Sequence, residues 1–369
     1  MWGQPPFGCA QGRLSAVHRG SSIGVFADTR LYLHFSDARQ ARFRRASRGP
    51  GCASPRPEEA RVAPLRKALG HRNNFIVAKA ADLIREFLRE RGLANLTPEL
   101  LAAFDRFFDD PVKTDPQCWA KNAVSRTLAA MEYQDETVFL RGMRHIQLEP
   151  VWGGSSDTAG TLRATCAFAL VQCRSLTEKD LLEHLVELLA DKDKTVRAEV
   201  VRAIEQVGSP SASLLLRLRA VLASDGPGTD EPEVLGACYG GILRIQGVRA
   251  IPWMRRFLIS ADDNAAEAAL ALAGTHSPES FETLLEFFTQ ANDPWWRSVL
   301  LSAISLTRQD EALEFLLELV GKESLDAEPA IEAILRSRPS QEITNRLEKL
   351  VKDNPRLKRA FAAQKREPS

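Results

Sequence analysis

One short pattern keeps returning along the chain. VRAEVVRAI at 196–204 can be laid on LRATCAFAL (162–170) and WRSVLLSAI (296–304), and more loosely on AKNAVSRTL (120–128) and VLGACYGGI (234–242). IVAKAADLI (76–84) and NAAEAALAL (264–272) keep the small residues but lose the arginine. Successive first positions are separated by 44, 42, 34, 38, 30 and 32 residues, the drifting spacing of a helical repeat array. A unit of this size cannot bury its apolar face alone, so neighbouring units must stack.

LLEHLVELLADKDKTVRAEVVRAIEQVG (181–208) shows what one unit contains. Leu181, Leu185, Leu188 and Leu189 form one helical stripe, Asp191 and Asp193 mark a tight turn, and Val196, Val200 and Ile204 form a second stripe. Ala169, Ala203 and Ala303 recur where helices must approach closely. Thr97-Pro98, Asp115-Pro116, Ser209-Pro210, Ser277-Pro278, Asp293-Pro294 and Asn354-Pro355 each place a capping oxygen before a proline suited to a first helical turn. The pattern predicts an all-α fold over 62–369, an α-solenoid of about eight antiparallel helix pairs with no strand. The charged amphipathic stretch EITNRLEKLVKDNPRLKRAFAAQ is expected to close it as a C-terminal cap.

Residues 1–61 read differently. They hold ten arginines, no lysine and four acids, a balance of +6, whereas the rest carries 39 basic and 44 acidic side chains, a balance of −5. Rich in Arg, Gly, Pro and Ser and without helical period, this segment is expected to be disordered. It is either an arginine arm or a spurious upstream extension, with Val62 as the start at a non-AUG codon. No apolar run approaches the ~20 residues of a membrane span, and no basic-then-apolar leader opens the chain, so a cytoplasmic protein is expected. The six cysteines form no CxxC pair; Cys166 and Cys173 read as buried apolar residues rather than a reactive pair.

The Leu-rich first helix, Asp191, the Val196-Arg197 pair and the Ala203-Ile204 end resemble the HEAT-repeat family, particularly its short bilin-lyase-type form. The resemblance covers roughly residues 63–365. It implies a curved stack of helix pairs acting as a non-enzymatic scaffold for another protein, with no cofactor. Enzymes of similar architecture supply contrasts. Di-iron deoxyhypusine hydroxylases use repeated His-Glu pairs, and no histidine here is followed by Glu. HEAT-like DNA glycosylases use a basic groove with aromatic side chains. Lys121, Arg163, Arg197 and Arg297 fall at equivalent inner-helix positions and form a candidate basic row, with Trp119, Trp152 and Trp295 as stacking candidates. Nucleic-acid binding is therefore the alternative function. The net charge of 62–369 weighs against it.

One long loop, RHIQLEPVWGGSSDTAGTLR (144–163), stands out. Asp157 precedes Arg163 as Asp193 precedes Arg197 and Asp293 precedes Arg297, which reads as helix capping and an Asp–Arg ladder linking repeats. Gly153-Gly154 permits a tight reversal. Trp152 either plugs the gap between repeats or presents a contact surface, and His145 reads as a packing or capping histidine. His145, Glu149, Trp152 and Asp157, with Trp295 further along, are the candidate partner-binding residues. No metal motif is matched by His145, Glu149 and Asp157. A second loop, ASDGPGTDEPE (223–233), is expected to be an elbow on the same rim and lacks the ligand spacing of a calcium loop. HExxH, GxxxxGK[ST] and GxGxxG are absent, so no catalytic residue is expected.

Overall fold

A computed structural model of the chain describes residues 58–88, 96–225 and 231–365. The readings for 1–57, including Cys9 and Cys52, and for the centre of the 223–233 loop lie outside the described residues. The described part is predominantly helical. Its longer helices are α1 (Glu58–Leu69), α2 (Asn74–Leu88), α3 (Thr97–Arg106), α4 (Trp119–Ala130), α5 (Glu136–Met143), α6 (Gly160–Leu170), α7 (Glu178–Leu188), α8 (Lys194–Val207) and α9 (Pro210–Asp225). There follow α10 (Pro232–Gln246), α11 (Asp263–Ala273), α12 (Pro278–Gln290), α13 (Pro294–Leu306), α14 (Asp310–Gly321), α15 (Ala327–Arg336), α16 (Gln341–Val351) and α17 (Pro355–Gln364).

Helices pack in sequential pairs, and the second helix of each pair packs on the second helix of the next. That contact order runs α2, α4, α6, α8, α10, α11, α13, α15, α17. The first partners are α1, α3, α5, α7, α9, the broken segment Gly247–Leu258, α12, α14 and α16. One apolar core continues from Val62 to Phe361, filled by such residues as Val124, Leu162, Val200, Ile242, Leu272, Leu300 and Ile334. α1 begins at Glu58, so the boundary expected between residues 61 and 62 falls inside a helix, with Val62 buried. Among the described residues no helix is long and apolar enough to cross a membrane.

Four of the six expected caps form. Ser277 accepts from Ser280 N, Asp293 from Trp296 N, Asn354 from Arg356 N and Leu357 N, and Ser209 from Ala212 N. Thr97 instead stands inside α3, whose N-cap is Leu96. Asp115 precedes a single 3-10 turn, Pro116–Cys118, and its carboxylate reaches past that turn to accept from Ala120 N and Lys121 N at 2.8 and 3.0 Å. Cys166 and Cys173 are buried free thiols, pushed by burial up to about 12 and about 11.

The main departure lies between α5 and α6. The expectation of a strand-free chain is corrected there: β1 (Leu148–Val151) and β2 (Gly154–Asp157) pair antiparallel, Leu148 opposite Asp157 and Val151 opposite Gly154. Trp152-Gly153 makes a two-residue turn, with Gly153 at φ +88°, a conformation glycine adopts without steric cost. The strands lack the apolar alternation by which strands are recognised, because the two partly buried positions, Glu149 and Asp157, are acids held by hydrogen bonds and the other six are exposed. An isolated two-stranded hairpin is marginal in water. Something at its base must hold it.

Candidate functional site

The base is held by Gln147, a residue to which the sequence assigns no role. Its side chain is 1% exposed and all its polar capacity is used. The amide nitrogen donates to Asp115 O (2.9 Å) and to Glu149 Oε1 (2.7 Å). The amide oxygen accepts from Lys121 Nζ (3.0 Å) and Cys118 Sγ (3.2 Å), and faces His145 Nε2 at 3.1 Å. Two pure acceptors on the nitrogen fix the amide orientation, so the His145 Nε2 must carry the proton. Burial holds the His145 imidazole below its ordinary value, with Lys121 and Arg163 adding to the effect, so the ring is neutral at pH 7. Its face packs edge-on against Phe108. His145 is thus a packing and hydrogen-bonding histidine. The Cys118 thiol is pushed up to about 12 by burial and is no nucleophile.

Glu149 closes the network from β1. Besides Gln147, its Oε1 accepts from Thr158 Oγ1 (2.7 Å) and Gln117 N (2.5 Å). Burial alone would raise this carboxyl, yet the three donors on Oε1 and Lys121 hold it below the usual range, so it is ionised. Asp157 behaves alike from β2. Its Oδ1 accepts from Gln147 N and Ala159 N, both at 3.0 Å, and its Oδ2 from Arg163 Nη1 at 2.7 Å. Burial opposes ionisation, and these donors outweigh it. His145, Glu149 and Asp157 therefore gather at one place but turn their polar atoms into the network. Among the described residues no three His, Cys, Asp or Glu side chains are grouped to hold a metal ion.

The candidate basic row is consumed in the same way. Lys121 is fully buried, 3.1 Å from the equally buried Asp115, and donates to Phe107 O and Gln147. Arg163 grips Asp191 with two bonds (2.8 and 3.0 Å) as well as Asp157 and His145 O. Arg197 reaches Glu231 at 2.5 Å and the Asp191 carbonyl at 2.7 Å. Arg297 takes both oxygens of Asp326 (2.9 and 2.7 Å) and the carbonyls of Phe288 and Ala291. Each cation points forward, to a polar group of the next repeat. The aspartates just before Arg197 and Arg297, Asp193 and Asp293, serve as caps instead. These four side chains do not present a cationic surface. They are rungs between repeats, and charge-assisted bonds of this kind are the stronger class.

At the other end of the hairpin lies the opposite situation. Trp152 is 103% exposed, so it plugs nothing, and the gap-filling alternative is corrected. Ile146, Leu148 and Val151 are exposed around the ribbon. The hairpin meets the turn before α4 through Gln117, and beyond that turn Trp119 and Phe75 are half-exposed with ring centroids 5.9 Å apart. Trp295 is not part of this group. It sits on α13, with α8, α10 and α11 intervening in the contact order, stacked on the buried Trp296.

Fold and site together define a class: paired helices carrying a β-hairpin whose base is locked into the core and whose tip is in solvent. No family model matches the chain, and no curated protein matches it.

Proposed function

We propose that the chain is a non-enzymatic cytoplasmic scaffold, its helix pairs wound as a HEAT-like α-solenoid, that holds another protein through the β1–β2 hairpin. The observation carrying this reading is a fully solvated indole on an anchored base. A large apolar ring in water gains nothing from its own fold, and tryptophan is among the side chains that dominate protein interfaces. The buried network beneath it lowers the ordering cost of binding, since the ribbon is already held. Exposed Leu148 and Val151 on the same ribbon add apolar surface.

The test is capture of a stoichiometric protein from the source cell by the full chain and by Trp152→Ala. Recovery with the wild type and roughly tenfold or greater loss with the variant is expected, at unchanged helicity and Tm. Equal recovery, or a Tm that falls together with capture, overturns the reading. Duplex binding that weakens steeply with salt would favour the nucleic-acid alternative, for which the internally paired Lys121, Arg163, Arg197 and Arg297 offer little support.

A further inference from the structure

Helix α9 is apolar on two sides. Ala212, Leu216 and Ala220 are buried against the core, as the inner stripe of an outer helix should be. Leu214, Leu218 and Leu222, spaced i, i+4, i+8 on the opposite side, are 66%, 56% and 55% exposed. Other outer helices expose charge there: Glu183 and Glu187 on α7, Glu314 and Glu318 on α14. A helix apolar all round is ordinarily covered on both sides. Beside the leucines runs a groove of about 580 Å³ between α7 and α9, floored by Leu182, Val186 and Leu215.

We propose that a second copy of this chain covers that face, as a two-fold dimer in which the α9 helices lie parallel and each exposed leucine meets its own counterpart. The charges on the flanks select this occupant. On one side α7 exposes Glu178, Glu183 and Glu187, with Lys179 paired to Glu183 at 3.3 Å. On the other side lies GVRAIPWMRRFL, the broken segment Gly247–Leu258, which contains three arginines and no acid; Arg255 is taken by Glu286 of α12 (2.6 and 2.9 Å), and Arg249 and Arg256 are exposed. Arg217 of α9 sits 4.6 Å over the Trp253 ring and ties that segment alongside. The patch therefore carries an acidic margin, an apolar centre and a basic margin.

A two-fold axis running along α9 turns one copy face-down on the other and exchanges the margins, so each acidic α7 lies over the partner's basic segment. An axis across α9 makes the helices antiparallel and lays α7 over α7, acid on acid. Self-complementarity of this kind is what an isologous contact requires. Stable dimers bury about 800 Å² per partner. Three leucines alone fall short of that, so both margins must take part, and raised salt should loosen the assembly.

The experiment is light scattering and sedimentation of the full chain over a dilution series, with circular dichroism as the control for folding. The expected mass is twice that of one chain, falling on dilution. Leu218→Asp should weaken self-association by roughly tenfold or more without loss of helix. Leu214→Cys, Leu218→Cys and Leu222→Cys should each cross-link to their own copy on oxidation, above the wild-type background. A one-chain mass at every concentration overturns the proposal, as does a dimer indifferent to Leu218→Asp. Cross-linking at Leu218→Cys alone would indicate the antiparallel arrangement and overturns it as well.

Discussion

Replacing Arg163 with methionine tests the load carried by the rungs between repeats. The guanidinium is 5% exposed and makes four charge-assisted bonds: two to Asp191, one to Asp157 and one to the His145 carbonyl. Methionine keeps much of the stem's volume but leaves Asp191, 8% exposed, without its cation. Breaking a buried pair by removing one partner costs about 3–5 kcal/mol. Amides still serve both acids, Asp193 N on Asp191 and Gln147 N and Ala159 N on Asp157, which places the expected loss near the lower end, about 3 kcal/mol. Urea unfolding should show a lower midpoint at unchanged slope. Exchange of the β1–β2 amides should accelerate, because Arg163 ties both ends of the hairpin to the next repeat. A double-mutant cycle with Asp191→Ala should return at least ~1 kcal/mol of coupling. The pH dependence has a definite sign. Asp157 is held below its ordinary 3.8, so its share of stability is full above that value and is lost as pH falls through the depressed folded value. The variant should show a shallower acid limb. A loss under ~1 kcal/mol with no coupling would mean that the rungs are incidental.

Glu267 on α11 offers the opposite pH signature. Burial, with Glu233 and Asp263 nearby, pushes its carboxyl up from 4.5 to about 7. Between those values the folded chain holds a proton that the unfolded chain releases, so stability falls as pH rises through the window. Glu267→Gln should remove that slope and exceed the wild type above pH 7 by roughly 1–2 kcal/mol; identical Tm profiles at pH 5 and 8 would refute the assignment. Gly142→Ala is expected to destabilise by about 1–3 kcal/mol, because a Cβ there would land on Cys166 Sγ where α5 crosses α6. An unchanged unfolding midpoint would show that this crossing yields freely.

The two ends of the hairpin differ in how far the sequence discloses them. Asp157 was legible as a structural acid because an aspartate likewise precedes the arginine at Asp193 and Asp293, where there is no long loop. Gly153-Gly154 was legible as a reversal from glycine alone. Glu149 stood out only as one polar candidate among several in a long loop. Its partners Gln117, Gln147 and Thr158 stand up to 32 residues away or in polar positions without period, and a single glutamine leaves no pattern to read. The leucines of α9 were hidden by their abundance. PSASLLLRLRAVLASD reads as a well-filled apolar helix, and which leucines face outward depends on where α7 and the 247–258 segment lie.

The sequence by itself determined the helices, their approximate ends and their succession in pairs. Each of these is set by contacts within a few residues: 3.6-residue periodicity, capping oxygens and prolines at first turns. Tertiary structure decided the direction of the cationic rungs, the burial of Gln147 and the solvation of Trp152. Those depend on groups distant in the chain meeting at fixed separations. A buried polar group must find a partner wherever the fold supplies one, and no local pattern records which partner that is.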